Sequence, residues 1–109
     1  MRLALLALVF TALIAGCGGG SSTSSSDRDK AISEAQAAFR QAQARGQDLS
    51  AGPCISESLR GLPDWAADIA HDPRQAVDDV PTNQCASYRS GQTHHFVELT
   101  PNGQLIRAQ

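Results

Sequence analysis

Three histidines and a scatter of aspartates are the residues of this chain best equipped for chemistry. His71, His94 and His95 with Asp64, Asp68 and Asp72 combine imidazole and carboxylate, the donor types that suit zinc, copper or nickel. Three such ligands with an open position could activate water for hydrolysis. Spacing weighs against the simplest arrangement, because adjacent residues of a strand point to opposite faces and His94 and His95 would not grip one ion together. The set reads more simply as a solvated acidic edge with histidines at a strand start, so no metal or other cofactor is assigned. No serine lies in a nucleophile-elbow or Ser-x-x-Lys setting, and no glycine-rich phosphate loop follows a strand. Ser56, Ser58 and Ser90 therefore read as caps and turn residues, and no catalytic residue is assigned. Arg74 near Asp78 and Asp79 predicts surface ion pairs worth roughly a few tenths of a kcal/mol.

The elements that would position these residues are short. His94 to Ala108 carry the clearest strand signal, and Thr100-Pro101-Asn102-Gly103 is turn chemistry, with proline presetting φ and glycine free to take φ > 0. Pairing Thr100 with Gln104 sets Leu99 opposite Leu105, Glu98 opposite Ile106 and Val97 opposite Arg107. Val97, Leu99 and Leu105 then share one face, and Phe96, Ile106 and Ala108 the other. A lone hairpin is marginal in water, so something must cover it. Trp65 to His71, closed by Pro63 and Pro73, is the covering candidate. Its alanines favour a helix, but nine residues between prolines is thin for one and Asp72 before Pro73 should be extended, which tips the reading to a strand. Cys54 to Leu59 reads as a short helical turn, and Val77 to Tyr88 as a loop-rich return. Trp65, Tyr88 and Phe96 are candidate binding anchors wherever one is exposed, although in so small a domain Trp65 and Tyr88 are better suited to filling the core.

The 109 residues hold one domain at most, and nine Lys and Arg against eleven Asp and Glu leave no basic footprint for nucleic acid. Arg2 precedes thirteen uncharged residues, Leu3 to Ala15, in which Thr11 is the one weakly polar member. As a helix this run is about 20 Å long, short of the roughly 30 Å hydrocarbon core, and reads as a signal-peptide core. It ends in Ile14-Ala15-Gly16-Cys17, and there the chain resembles bacterial lipoprotein precursors, whose lipobox this tetrad matches at every position. The resemblance implies a diacylglyceryl group on the Cys17 thiol, cleavage after Gly16, and Cys17 as the new N-terminus. It implies attachment to the cell membrane or outer membrane on the extracytoplasmic side. The architecture of anchor, spacer, helix and stapled head leaves an envelope protein, a cell-wall component or a small ligand as the partner. Two or more acyl chains at about 0.8 kcal/mol per buried methylene would make the anchor stable. Residues 52–109 further resemble the compact modules of small exported lipoproteins, a likeness that implies no activity.

With Cys17 assigned to lipid, two of the three cysteines remain, and an exported chain would pair Cys54 with Cys85. Closing a loop of about 30 residues contributes on the order of 3.5 to 4 kcal/mol in the chain-entropy model. Residues 18–26 are Gly, Ser and Thr, a flexible linker of roughly 15 to 18 Å end to end. Residues 27–46 form the best helix, with Ser26 as N-cap, Gly46 as terminator and a stripe of Ile32, Ala35, Phe39 and Ala42. Two large residues are few, so this helix either docks lightly or stands as a partly solvated stalk. The expectation is an α+β chain: signal peptide over residues 1–16, lipidated cysteine and linker over 17–26, one amphipathic helix over 27–46, and a disulfide-stapled domain over 49–109 that ends in a β-hairpin. So small a domain leaves little volume for a pocket of roughly 300 Å³ beside its core. The functional expectation is a membrane-anchored binding or structural module without catalytic activity. The alternative is a small metal-binding protein or metal-dependent hydrolase using His71 and His94 or His95.

Overall fold

The computed structural model describes residues 24–109. The expected leader, Cys17 and the expected linker up to Thr23 lie outside the described residues. The remainder is α+β: one long helix, α1 (Ser25–Ala44), packed on a four-stranded sheet of β1 (Cys54–Ser56), β2 (Trp65–Ile69), β3 (His95–Leu99) and β4 (Leu105–Ala108) in that spatial order. β1 pairs antiparallel with β2, β2 parallel with β3, and β3 antiparallel with β4.

The helix starts two residues before the expected boundary, because the Ser24 side chain, not Ser26, accepts from the Asp27 amide at 3.2 Å. It ends as the composition predicts. Gly46 takes φ +71°, its N–H donates to the Gln43 carbonyl, and the Gln47 N–H donates to the Ala42 carbonyl, both at 3.0 Å. That pair of bonds is a Schellman closure.

α1 docks on the sheet through Ala31, Ala35, Phe39 and Ala42, all buried, with Ile32 partly buried beside them. The alanines keep the helix close to the strands, and Phe39 supplies the bulk. A Cβ on Gly103 would lie 2.7 Å from the Phe39 ring, so the hairpin turn is seated directly on that side chain. Polar ties at the helix edge add direction: Arg28 Nε donates to the Ala108 carbonyl at 3.2 Å, and the Glu34 carboxylate accepts from the Gly61 N–H at 3.1 Å.

Trp65 to Ile69 is a strand, as the proline spacing suggested. Cys54 to Leu59 is not the expected helical turn. Its first three residues form β1, because pairing with β2 and the bond from the Ile69 N–H to the Pro53 carbonyl at 2.9 Å use backbone groups that a helical turn would have closed locally. The connection from β2 to β3 must cross over, since parallel strands cannot be joined by a tight turn. It runs through 3-10 turns at Ala76–Asp79 and Pro81–Asn83 and a one-turn helix, α2 (Ala86–Arg89), on the sheet face opposite α1. The Cys54–Cys85 disulfide staples this crossover to β1.

The hairpin turn forms as expected, with Gly103 at φ +85° and Thr100 bonded to Gln104. Leu99 pairs with Leu105, but an irregularity follows, and Glu98 then pairs with Arg107 and Val97 with Ala108. The expected partners Ile106 and Arg107 are each displaced by one residue. The bulge has a packing cause: it turns Ala108 into the core under α1 and Arg107 toward Glu98, leaving Leu105 39% exposed.

Candidate functional site

Every second residue of β2 and β3 points away from α1, and these residues floor a groove of about 590 Å³ that is open on one side to solvent. Ala66, Asp68, Phe96 and Glu98 come from the two parallel strands, and Arg107 from β4. Gln84, Cys85, Tyr88 and Arg89 of the crossover form the wall. The expectation that so small a domain leaves little volume for a pocket is corrected. The disulfide pins the crossover to the sheet at Cys85, and the long side chains of Gln84, Tyr88 and Arg89 border the open space beside it, whereas on the other face α1 lies flat on alanines.

The chemistry of the floor comes from register. Asp68 and Glu98 are direct partners in the parallel β2–β3 ladder, so two carboxylates stand side by side, and Arg107 lies opposite Glu98 on the next strand. Glu98, with a side chain only 6% exposed, meets Arg74 Nη1 at 3.4 Å and Arg107 Nε at 3.3 Å. The Arg107 contact is an ion pair without hydrogen-bond geometry, which leaves Glu98 Oε1 buried without a hydrogen-bond partner among the described residues. Asp68 Oδ1 is buried and unbonded in the same sense. Burial, then the neighbouring Glu98 charge, pushes the Asp68 carboxyl up to about 7, against the pull of Arg74 and Arg107. The floor therefore holds a carboxyl that changes charge near neutral pH.

Arg74 binds Asp79 as expected, Nε to Oδ1 at 2.8 Å. Asp78 is not its surface partner. Its side chain is buried and accepts from the His71 N–H at 3.0 Å, the Gln75 N–H at 2.9 Å and His71 Nδ1 at 2.9 Å. Burial raises the Asp78 carboxyl, but these bonds outweigh it and hold the group below the ordinary aspartate range. Gly52 is required beside it: φ is +67°, and a Cβ there would lie 2.5 Å from Asp78 Oδ1. Asp78 thus ties the crossover to the end of β2.

The histidines are placed by the same topology. Parallel pairing sets Trp65 beside His95, so His94 and His95 lie at the start of β2, while His71 lies beyond its far end. His94 Nδ1 contacts Asp64 Oδ1 at 2.7 Å, and His95 Nε2 approaches Asp64 Oδ2 at 3.6 Å. His71, His94, His95 and Asp68 are thus divided among three places: the Asp78 tie, the Asp64 carboxylate and the groove floor. Cys54, Glu57 and Cys85 do gather potential donor atoms within 4.8 Å. The two sulfurs are bonded to each other, and the Glu57 carboxylate accepts from the Ala86 and Ser87 amides at 3.1 and 2.8 Å, capping α2.

Ser56, Ser58 and Ser90 donate to the carbonyls of Ser58, Pro63 and Ser87, the turn roles expected of them. Of the aromatic candidates, Trp65 is 3% exposed and stacks on His95 in the core, so it is not a surface anchor. Tyr88 and Phe96 do line the groove, in an edge-to-face pair 4.9 Å apart. Glu98 and Arg107 were missed as site residues. A carboxylate between apolar neighbours in each of two strands, Ala67-Asp68-Ile69 and Val97-Glu98-Leu99, was the signal available. Comparison with protein families, with curated proteins and with solved structures finds no match.

Proposed function

We propose that this chain is a lipid-anchored lipoprotein of the bacterial envelope whose folded domain is a binding module without catalytic activity, and that the groove is its binding element. The groove carries the reading: it is concave, has an aromatic wall, and converges two carboxylates and two arginines on one floor, the composition of a small-ligand site. The Ile14-Ala15-Gly16-Cys17 tetrad supports the anchor, and the Cys54–Cys85 disulfide accords with an oxidising compartment. Among the described residues no helix is long and apolar enough to cross a membrane.

Labelled palmitate should enter the wild-type chain and not Cys17→Ser. A photo-crosslinking residue placed at Gln84 on the groove wall should give adducts in intact cells, whereas the same residue at Arg40 on the exposed side of α1 should give none. Equal adducts from both positions would overturn the groove as the binding element.

A further inference from the structure

Charge accounting within the groove leaves two groups of opposite sign unmatched. Glu98 and Asp79 are carboxylates, Arg74 and Arg107 are guanidiniums, and all four are joined by contacts of 3.4 Å or less. They cancel. What remains is Asp68 at the floor, with a buried oxygen that accepts no hydrogen bond, and Arg89 at the end of α2, whose exposed guanidinium has no ion-pair or hydrogen-bond partner among the described residues. The neighbouring Glu98, side chain 6% exposed, likewise turns an unbonded oxygen to the floor. Tyr88, which is 43% exposed, and Phe96 add apolar surface to the same lining.

A cation alone would meet three arginines in this lining, and an anion alone would meet two carboxylates. A molecule carrying both charges meets neither penalty. We propose that the groove binds a small zwitterion, an ammonium and a carboxylate on one short apolar frame as in a free amino acid, with the ammonium donating to Asp68, the carboxylate held by Arg89, and the frame against Tyr88 and Phe96. The inference rests on the groove being the binding element.

Proton balance follows from the site. Asp68 must be ionised to take an ammonium, so below its titration the ligand displaces a proton, which leaves to solvent. The groups facing Asp68 are Glu98 from β3, Arg107 from β4, Arg74 and Asp78 from the crossover, and, across the groove, Tyr88 and Arg89 from α2. The β1 neighbour, Cys54, is in the disulfide and does not titrate. With the carboxyl at about 7, the competent fraction falls about tenfold between pH 8 and pH 6, and apparent affinity falls with it.

Calorimetric titration of the full-length chain in detergent micelles tests this with three matched probes: leucine, 3-methylbutan-1-amine, which lacks its carboxylate, and 4-methylpentanoate, which lacks its amine. Leucine should bind at pH 8, about tenfold more weakly at pH 6, and at least tenfold better than either half-molecule. Arg89→Ala should lower leucine to the level of the amine while leaving the amine unchanged, and Asp68→Asn should weaken leucine and remove the pH dependence. Absence of leucine binding at pH 8, an unchanged affinity in Arg89→Ala, or the same pH dependence in Asp68→Asn would overturn the proposal. Failure of leucine with adducts still confined to Gln84 refutes the zwitterion and leaves the binding groove standing. Equal adducts from Gln84 and Arg40 refute the groove itself.

Discussion

On one face of the sheet Trp65, Ala67, Ile69, Val97 and Leu99 lie under α1, none more than 3% exposed. On the other, alternate residues of the same strands present Asp68, Phe96 and Glu98 to a groove that α2 and its flanking turns cover only in part. The faces share a backbone and differ in what their covers are made of. Alanines on a helix permit flat apolar contact, whereas Gln84, Tyr88 and Arg89 stand off the floor with long polar or amphipathic side chains. A domain this small thus concentrates its stability on one face and leaves the other concave, charged and open.

Five perturbations would break or sharpen that contrast. The largest effect is expected for the Cys54→Ala, Cys85→Ala double substitution, because the bridge spans 31 residues and Cys85 also lines the groove. Stability in urea should fall by about 3.5 to 4 kcal/mol, and an unchanged midpoint would mean that the crossover is held without the bridge. Next, Leu99→Ala on the closed face should cost about 3 kcal/mol, while Phe96→Ala on the open face should cost about 1 kcal/mol, since part of that ring is already in water. Equal losses would erase the distinction between the faces.

Asp68→Asn should act in the opposite direction. A carboxyl whose folded value is raised to about 7 binds its proton more tightly in the native state, so the wild-type chain loses stability as pH rises from about 4 through 7. The variant lacks that slope. Its advantage should be absent below pH 4 and reach about 2 kcal/mol above pH 7, the full shift being discounted for the groove's access to solvent. Denaturant titrations across that range check it, and parallel curves for the two proteins would contradict it. The smallest effect is expected for Asp79→Ala, whose side chain is 65% exposed against Arg74: under about 0.5 kcal/mol.

Much of the architecture was legible. Helix α1 was marked by its alanine-rich composition and Gly46, the hairpin turn by Pro101 and Gly103, β2 by the flanking prolines, and the disulfide pair by export and cysteine number. The groove was not legible, because Asp68 and Glu98 lie 30 positions apart and become neighbours only through a parallel ladder. Asp78 was misjudged for a related reason. Nothing in Val77-Asp78-Asp79 distinguishes the buried carboxylate from its exposed neighbour until the end of β2 presents the His71 amide and ring. The shift in the hairpin had no local signal either, since it answers a demand made by α1 for Ala108 and by Glu98 for Arg107.

The amino-acid sequence by itself determined the local conformations, where caps, turns and helix ends follow from steric and hydrogen-bonding preferences within a few residues. It also determined the candidate lipidation tetrad and the two cysteines left to pair. Only the tertiary structure decided which side chains share a surface. The parallel β2–β3 register set Asp68 beside Glu98, the bulge in β4 brought Arg107 across from them, and the crossover left a cavity above all three. The physical reason is that strand pairing is non-local: one residue of slip exchanges the two faces, and the choice is made by the packing of α1 against the whole sheet, which no short stretch of sequence contains.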